Sequence, residues 1–336
     1  MNICMKTIAV GLTVLFLTAC QPGEAEFSGS AQGTTYHIKM VLHDQGGKLD
    51  EIRQAVEGIF ADFDIKLSNY REDSEISKLN QQKSTGWLPI SKEIADLVSV
   101  AKAVNTASEG CLDLTIKPLF DLWGFSRHEL KIPDQADIDA ALAHVGMDKI
   151  VLDQERLRLL KLDPEVGIDL SSVAQGYTVG AIAKLLEAKG IQNYMVEIGG
   201  EMMVKGRKAN GDEWRIAIEK PTPFAREVQK IIAIHQVNGE AVMTSGTYRN
   251  FFEENGKVYS HILNPKTGRP IDHNLLSTTV FHDDPTWADA WSTALLCLGE
   301  AKGLSIADAN HIRALFIYHD GTALKERVSG DLAKTP

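Results

Sequence analysis

Cysteine is scarce in this 336-residue sequence, with four in all, and none are spaced as paired metal ligands, which excludes a cysteine-held metal centre. Clusters of Lys and Arg are also missing, and the formal charge is −10, so the sequence argues against a nucleic-acid surface while leaving room for a local phosphate pocket. There is no internal repeat and, beyond the first thirty residues, no long Pro-, Ser- or Gly-rich linker and no apolar run able to span a membrane. What is present is a chain with 44% hydrophobic residues, enough to bury a large core.

The opening MNICMKTIAVGLTVLFLTACQPGEAEFSGS carries one Lys6, an apolar run of signal-peptide length and then Leu17-Thr18-Ala19-Cys20. It resembles the lipobox of bacterial lipoprotein precursors, and the run is too short for a comfortable membrane anchor helix. The expectation is that residues 1–19 are removed as a signal peptide, Cys20 is lipidated, and residues 20–30 form a polar tether. A possible second start at Met5 leaves the mature chain unchanged. Such an exported lipoprotein would sit at the periplasmic face of a bacterial membrane, where disulfides are permitted but not required. Cys111 and Cys297 are then the two unassigned cysteines, either bridged or free packing residues.

From residue 31 to 336 the chain reads as one continuous unit, possibly two-lobed. Helical spacing with polar starts marks Asp50 to Phe63, Ser91 to Ser108 and Asp134 to Val145, with Gly110 and Gly146 as stops after the last two. Strand-like runs are Thr35 to Leu42, Ile150 to Leu152, Tyr194 to Ile198, Trp214 to Glu219, Ile231 to Val237, Tyr259 to Leu263 and Ala314 to Tyr318. Strands and helices do not alternate regularly, which favours an α+β fold with an antiparallel sheet flanked by helices over a doubly wound parallel one.

Several short stretches can carry chemistry. In Thr286 to Gly299, a helix of small and apolar residues, Asp289 and Thr293 share a face at i, i+4. The plain alternative has Thr293 bonding back to a carbonyl of its own helix and Asp289 offsetting the helix dipole. Asp169 to Tyr177 opens a helix that Gly190 closes, and its exposed N–H groups suit either ordinary capping, with Ser172 and Gln175 as a capping box, or a phosphate. Glu197-Ile198-Gly199-Gly200-Glu201 lies between two strand-like runs, and Thr244 to Arg249 gathers hydroxyls and one guanidinium. His261, one of ten histidines, starts a run His261 to Gly268 that ends in a turn; as a lone histidine in a strand it is as readily a satisfied residue as a base. Tyr70 can stack on a planar ring or simply pack.

The order of these stretches is more telling than any one of them. Gly33 to Tyr36, Leu67 to Tyr70, Gly110 to Thr115, Leu122 to Phe125, Asp169 to Gly176, Glu197 to Gly200, Thr244 to Gly246, His261 to Gly268 and Ala288 to Thr293 succeed one another in a way that resembles the ApbE family of FAD:protein FMN transferases, along nearly the whole mature chain. The resemblance implies an ApbE-like fold related to the T-fold. It implies Mg²⁺ held by Asp289, Thr293 and the Ser172 carbonyl, a hard oxygen set suited to that ion. It also implies FAD contacts at Tyr70, Cys111, Leu112, Asp113, Asp169, Gln175 and Leu263, with Gln32 or Gly33 near the flavin end. This chain has Gln32 where the family commonly has Met, Gln175 for Lys or Glu, and Asn264 for a frequent Asp.

By the same resemblance the enzyme would transfer FMN from its substrate FAD to a Ser or Thr hydroxyl of an acceptor protein, with His261 as the base and AMP released. Family acceptors carry a motif resembling Asp-x-x-Ser/Thr-Gly-Ala-Ser/Thr, which this chain lacks, so its partners would be other proteins, such as redox-driven membrane complexes. Two alternatives remain at this point: an FAD pyrophosphatase giving FMN and AMP, and a non-catalytic FAD-binding lipoprotein.

Overall fold

The computed structural model describes residues 23–42, 47–126, 129–223 and 227–333. The signal segment and Cys20 therefore lie outside the described residues. Eight strands build the central sheet: β1 (Gly23–Ala31), β2 (Thr34–Leu42), β3 (Tyr194–Ile198), β4 (Glu201–Lys205), β5 (Glu240–Gly246), β6 (Leu275–His282), β7 (Arg313–His319) and β8 (Leu324–Val328). Their order across the sheet is their order in the chain, and every pairing is antiparallel. The sheet is thus a meander with long insertions, as expected for an α+β fold.

One expectation fails at the start. Gly23 to Ser30, read as tether, belongs to β1 and pairs with β2 from Gly23↔Leu42 to Ala31↔Thr34. The strand is short of apolar residues because it is an edge; Ala25 and Phe27 are its buried residues, Ala31 packs half-buried against the core on the same face, and the alternate residues face outward.

Successive residues of a strand point to opposite faces, and here both faces are covered. On one face Met203, Ala241, Met243 and Val280 join the main core with helices α1 (Lys48–Leu67), α2 (Lys92–Ala107), α3 (Ala174–Ala188), α4 (Pro285–Leu298) and α5 (Glu300–Ala309). On the other, Val204, Val242, Phe281 and Leu315 pack against a hairpin of Trp214–Glu219 and Val228–Ile234. A small three-stranded sheet of Trp87–Pro89, Ile150–Asp153 and Arg158–Lys161 sits aside, yet its Leu88, Ile150 and Leu159 bury into the main core. A third cluster, centred on Trp123, packs Leu119, Phe125 and Ile138 against Leu263.

The expected helices are present, and Ser91 caps α2 by accepting from the Ile94 amide. The expected strand Tyr259 to Leu263 is split instead. Lys257–Ser260 pairs with Phe251–Glu254, and Leu263–Asn264 pairs with Arg269–Pro270, so His261 falls between two hairpins. Among the described residues no helix is long and apolar enough to cross a membrane.

Candidate active site

The site is organised by the contact of α3 with α4. Asp284 caps α4, its carboxylate accepting from the Thr286 amide at 2.8 Å and the Trp287 amide at 3.3 Å, with Pro285 in the first turn and Gly299 at φ +79° ending the helix. The helix is buried almost all round, and Asp289 within it is 5% exposed. An unpaired carboxylate there would be costly. Asp289 Oδ2 accepts from the amide of Gly176 at 2.8 Å, in the first turn of α3. A Cβ on Gly176 would stand 2.7 Å from the Asp289 Cβ and closer still to the Pro285 carbonyl, so only glycine permits this approach.

Gly176 is the third residue of α3, so its amide is one of the first-turn donors with no partner within the helix, and Asp289 supplies that partner. The plain account of the hydroxyls is also displaced: Ser292, not Thr293, bonds back to the Asp289 carbonyl, at 2.9 Å. Thr293 Oγ1 lies 3.0 Å from Ser245 Oγ in β5, which also meets Ser292 Oγ at 2.8 Å.

A second carboxylate completes the group. Glu201, at the start of β4, is 9% exposed, and its Oε2 accepts from the Thr244 amide at 3.0 Å. Burial, and then the Asp289 charge, push Glu201 well above the usual carboxylate range, while burial pushes Asp289 up to about 7. Two facing acids that each resist ionisation form a site that gains by admitting a cation. Among the described residues no three His, Cys, Asp or Glu side chains are grouped to hold a metal by themselves; the donors at Asp289 and Thr293 are carboxylate and hydroxyl oxygens, the hard type that magnesium takes. Sequence reading passed over Glu201 and Ser245 as site residues, although it noticed both runs. Glu201 meets Thr244 of β5, and Ser245 meets Ser292 and Thr293 of α4, each 43 to 48 residues away in sequence, which local pattern does not reveal.

Beside the acids lies a cleft of ≈ 200 Å³ lined in part by Thr35, Gly200, Glu201, Thr244 and Arg249. Gln32 and Gln175 brace the elements around it. Gln32, at φ +51° in the β1–β2 turn, donates to Thr178 Oγ1 at 2.9 Å. Gln175 Nε2 donates to the Ile198 carbonyl at 2.8 Å and lies where a Cβ on Gly199, at φ +61°, would come within 2.5 Å. The Gln175 amide thus stabilises the Gly199-Gly200 turn without adding charge. Arg249 pairs with Glu219 at the rim.

The other expected contacts gather along a second line. The Asp169 amide donates to the Leu114 carbonyl at 2.7 Å, which joins the Cys111–Asp113 segment to Asp169. Asp113 accepts from the Thr115 amide at 2.8 Å and the Met147 amide at 3.2 Å, and Asp169 from the Ser171 amide at 2.8 Å and the Ser171 hydroxyl. Burial raises both acids, so each carboxylate is already committed to shaping its loop. Leu112 and Leu263 are 1% and 5% exposed; the Leu112 main chain is fixed by Asn105, which donates to its carbonyl, and by Ser108, which accepts from its amide, and Leu263 pairs with Pro270. Tyr70 is 74% exposed and close enough to Asp169 to feel its charge, as a stacking platform requires.

His261 receives its orientation from one carbonyl. Its Nδ1 donates to the Asn250 oxygen at 2.9 Å, and its amide donates there too at 3.0 Å. With the proton on Nδ1, Nε2 keeps its lone pair, and burial lowers the ring's pKa, favouring the neutral form.

The fold and this site describe an α+β protein with a buried acid pair where two helices meet, and comparison identifies its class. The ApbE family model matches residues 32–316, and the chain belongs to that family. The FAD:protein FMN transferase of Haemophilus influenzae is 40% identical over 321 residues, covering 92% of this chain and 91% of that one; the transferase of Vibrio cholerae serotype O1 is 38% identical over 322 residues, covering 94% and 95%. Among solved structures, the flavin transferase ApbE from Vibrio cholerae has a TM-score of 0.84 at 36% identity, covering 93% of this chain and 99% of that one. The apo flavinyl transferase ApbE of Pseudomonas stutzeri has a TM-score of 0.85 at 36% identity, covering 96% and 98%.

Proposed function

We propose that this chain is an FAD:protein FMN transferase that moves FMN from FAD to a Ser or Thr hydroxyl of an acceptor protein and releases AMP. The observation that carries the reading is the buried Asp289–Glu201 pair where α3 meets α4, with Asp289 held by the Gly176 amide. Asp289, Thr293 and the Ser172 carbonyl are the ligands we assign to Mg²⁺, with Glu201 adding charge beside them. When bound, the ion would orient the diphosphate oxygens and neutralise charge on the leaving phosphate.

His261 takes the proton of the acceptor hydroxyl on Nε2 while the Asn250 carbonyl holds Nδ1–H. The hydroxyl oxygen bonds to the phosphorus on the FMN side, the bridging phosphorus–oxygen bond breaks, and its electron pair leaves with AMP. Tyr70, Asp169, Cys111 to Asp113 and the Leu263 main chain hold the rest of FAD, with Gln32 and Gln175 shaping the flavin end. Export through residues 1–19, lipidation of Cys20 and residence at the periplasmic face of a bacterial membrane would bring the enzyme to redox-driven membrane complexes; the strand β1 limits any tether to the few residues between Cys20 and Gly23.

Incubation with FAD, Mg²⁺ and an acceptor domain tests the reading. Covalent flavin fluorescence on the acceptor supports it. Release of free FMN without labelled acceptor would indicate a pyrophosphatase, and FAD bound unchanged would indicate a carrier.

A further inference from the structure

The hydroxyls of Ser245, Ser292 and Thr293 form a chain with a direction. Ser292 Oγ donates to the Asp289 carbonyl at 2.9 Å, an oxygen that can only accept, so the single proton of Ser292 is committed there. Ser245 Oγ lies 2.8 Å from Ser292 Oγ, and because Ser292 is already donating elsewhere, Ser245 must be the donor of that pair. Its own proton is then committed as well. The remaining contact, 3.0 Å between Ser245 Oγ and Thr293 Oγ1, closes only if Thr293 donates. One carbonyl thus orients every link: Thr293 to Ser245, Ser245 to Ser292, and Ser292 to Asp289.

The consequence falls on Thr293. A threonine hydroxyl has one proton and two acceptor lone pairs, and here the proton is turned toward β5. Lone pairs are what Thr293 has left to offer, one helical turn from the Asp289 carboxylate. The strand that takes the proton is itself fixed, since β5 pairs with β4 on one side and β6 on the other. Adjacent residues of that strand serve the two sides of the acid pair: the Thr244 amide holds Glu201, and the Ser245 hydroxyl holds Thr293.

We propose that Ser245 is a positioning residue that acts through Thr293, accepting its proton so that Thr293 Oγ1 meets a divalent cation as an acceptor only, with Ser292 setting the direction of the chain. The inference rests on the reading of Asp289 and Thr293 as magnesium ligands and adds to it two residues that act from behind a ligand. A hydroxyl oriented in advance needs no reorientation when the ion arrives, and partners of this kind raise the affinity of the ligand they hold.

The test uses Mn²⁺, which takes the same hard oxygen ligands as Mg²⁺. Mn²⁺ is titrated into the full chain, the free ion is followed by electron paramagnetic resonance, and Mg²⁺ is then added to displace it. Ser245→Ala should weaken Mn²⁺ binding by about 10–100-fold, and Ser245→Thr, which restores the hydroxyl, should regain most of the parent affinity. Ser292→Ala frees the Ser245 proton to turn toward Thr293, so it should also weaken binding although Ser245 and Thr293 both keep their hydroxyls. Melting temperatures report packing separately. A lowered melting temperature with parent-like Mn²⁺ affinity in Ser245→Ala would make Ser245 a packing residue and overturn the proposal. Parent-like affinity in Ser292→Ala would overturn it too, and that variant decides the matter if Ser245→Ala folds poorly. A parent chain that takes up no Mn²⁺ displaceable by Mg²⁺ would remove the metal reading itself, and the proposal with it. Flavin transfer does not enter the readout, so failure of the positioning role and failure of the transfer reading are told apart.

Discussion

Asp289 occupies a position where a carboxylate is costly, and its neighbours show what offsets that cost. It has one amide, from Gly176, and faces Glu201. Replacing it by Ala should lower Mg²⁺-dependent transfer by about 10²-fold or more, comparable with loss of a major group stabilising transition-state charge. Steady-state rates across a Mg²⁺ titration check this. His261→Ala should cost about 10²–10⁴-fold in transfer while leaving FAD binding nearly intact. Fluorescence titration of FAD separates the two effects.

The His261 ring also predicts a pH dependence. Its folded pKa lies below the ordinary value of about 6.5, so as pH falls through that value the unfolded chain takes up a proton first. The contribution of this residue to stability is complete above pH 6.5 and is lost as pH falls toward the folded value. The parent should therefore lose more stability than His261→Gln between pH 7.5 and 5.5, measured by urea unfolding midpoints. Equal losses would show that the ring is not held neutral by the fold.

At the scale of elements, backbone contact between α3 and α4 is the feature on which the site depends. Gly176→Ala would push the Ala Cβ into the Asp289 side chain and the Pro285 carbonyl, costing about 1–3 kcal/mol from overpacking. Its transfer rate should fall more steeply than its denaturation midpoint, since the displaced group is Asp289 itself. Trp123 makes a similar link on the other side, donating from Nε1 to the Gly268 carbonyl at 2.8 Å within the buried cluster that holds Leu263. Trp123→Phe should leave that carbonyl unsatisfied and cost about 1–3 kcal/mol in chemical denaturation.

These helices were legible in the sequence. Polar starts and glycine stops announced α2, and the small-residue face of α4 singled out Asp289 and Thr293 before any partner was known. What could not be read was the amide from Gly176, because an alternative donor across two helices leaves no local pattern. Glu201 and Ser245 were missed for a related reason: the pairing of β4 with β5, and of β5 with β6, brings them to α4 over distances in sequence that hydrophobic alternation does not encode.

On the scale of the whole molecule, the meander puts β1 at one edge and makes the amino-terminal residues part of the fold. That strand was read as tether because GEAEFSGSA has only three inward apolar side chains, Ala25, Phe27 and Ala31, and follows the signal segment directly. Deleting residues through Ser30 should expose the edge of β2 and lower the melting temperature, checked by scanning calorimetry or circular dichroism. The family assignment, in contrast, rested on motifs strung along the chain, and these survive translation into space. Asp169 joins the Cys111–Asp113 segment through Leu114, and the first turn of α3, just after Asp169, meets Asp289 through the Gly176 amide.

The most direct measurement is covalent flavin transfer to an acceptor domain, followed by gel fluorescence for the parent and for Asp289→Ala over a range of Mg²⁺ concentrations. The account predicts labelled acceptor that rises with Mg²⁺ in the parent and is nearly absent in the variant. Labelling of equal strength in both, with the same Mg²⁺ response, would contradict it.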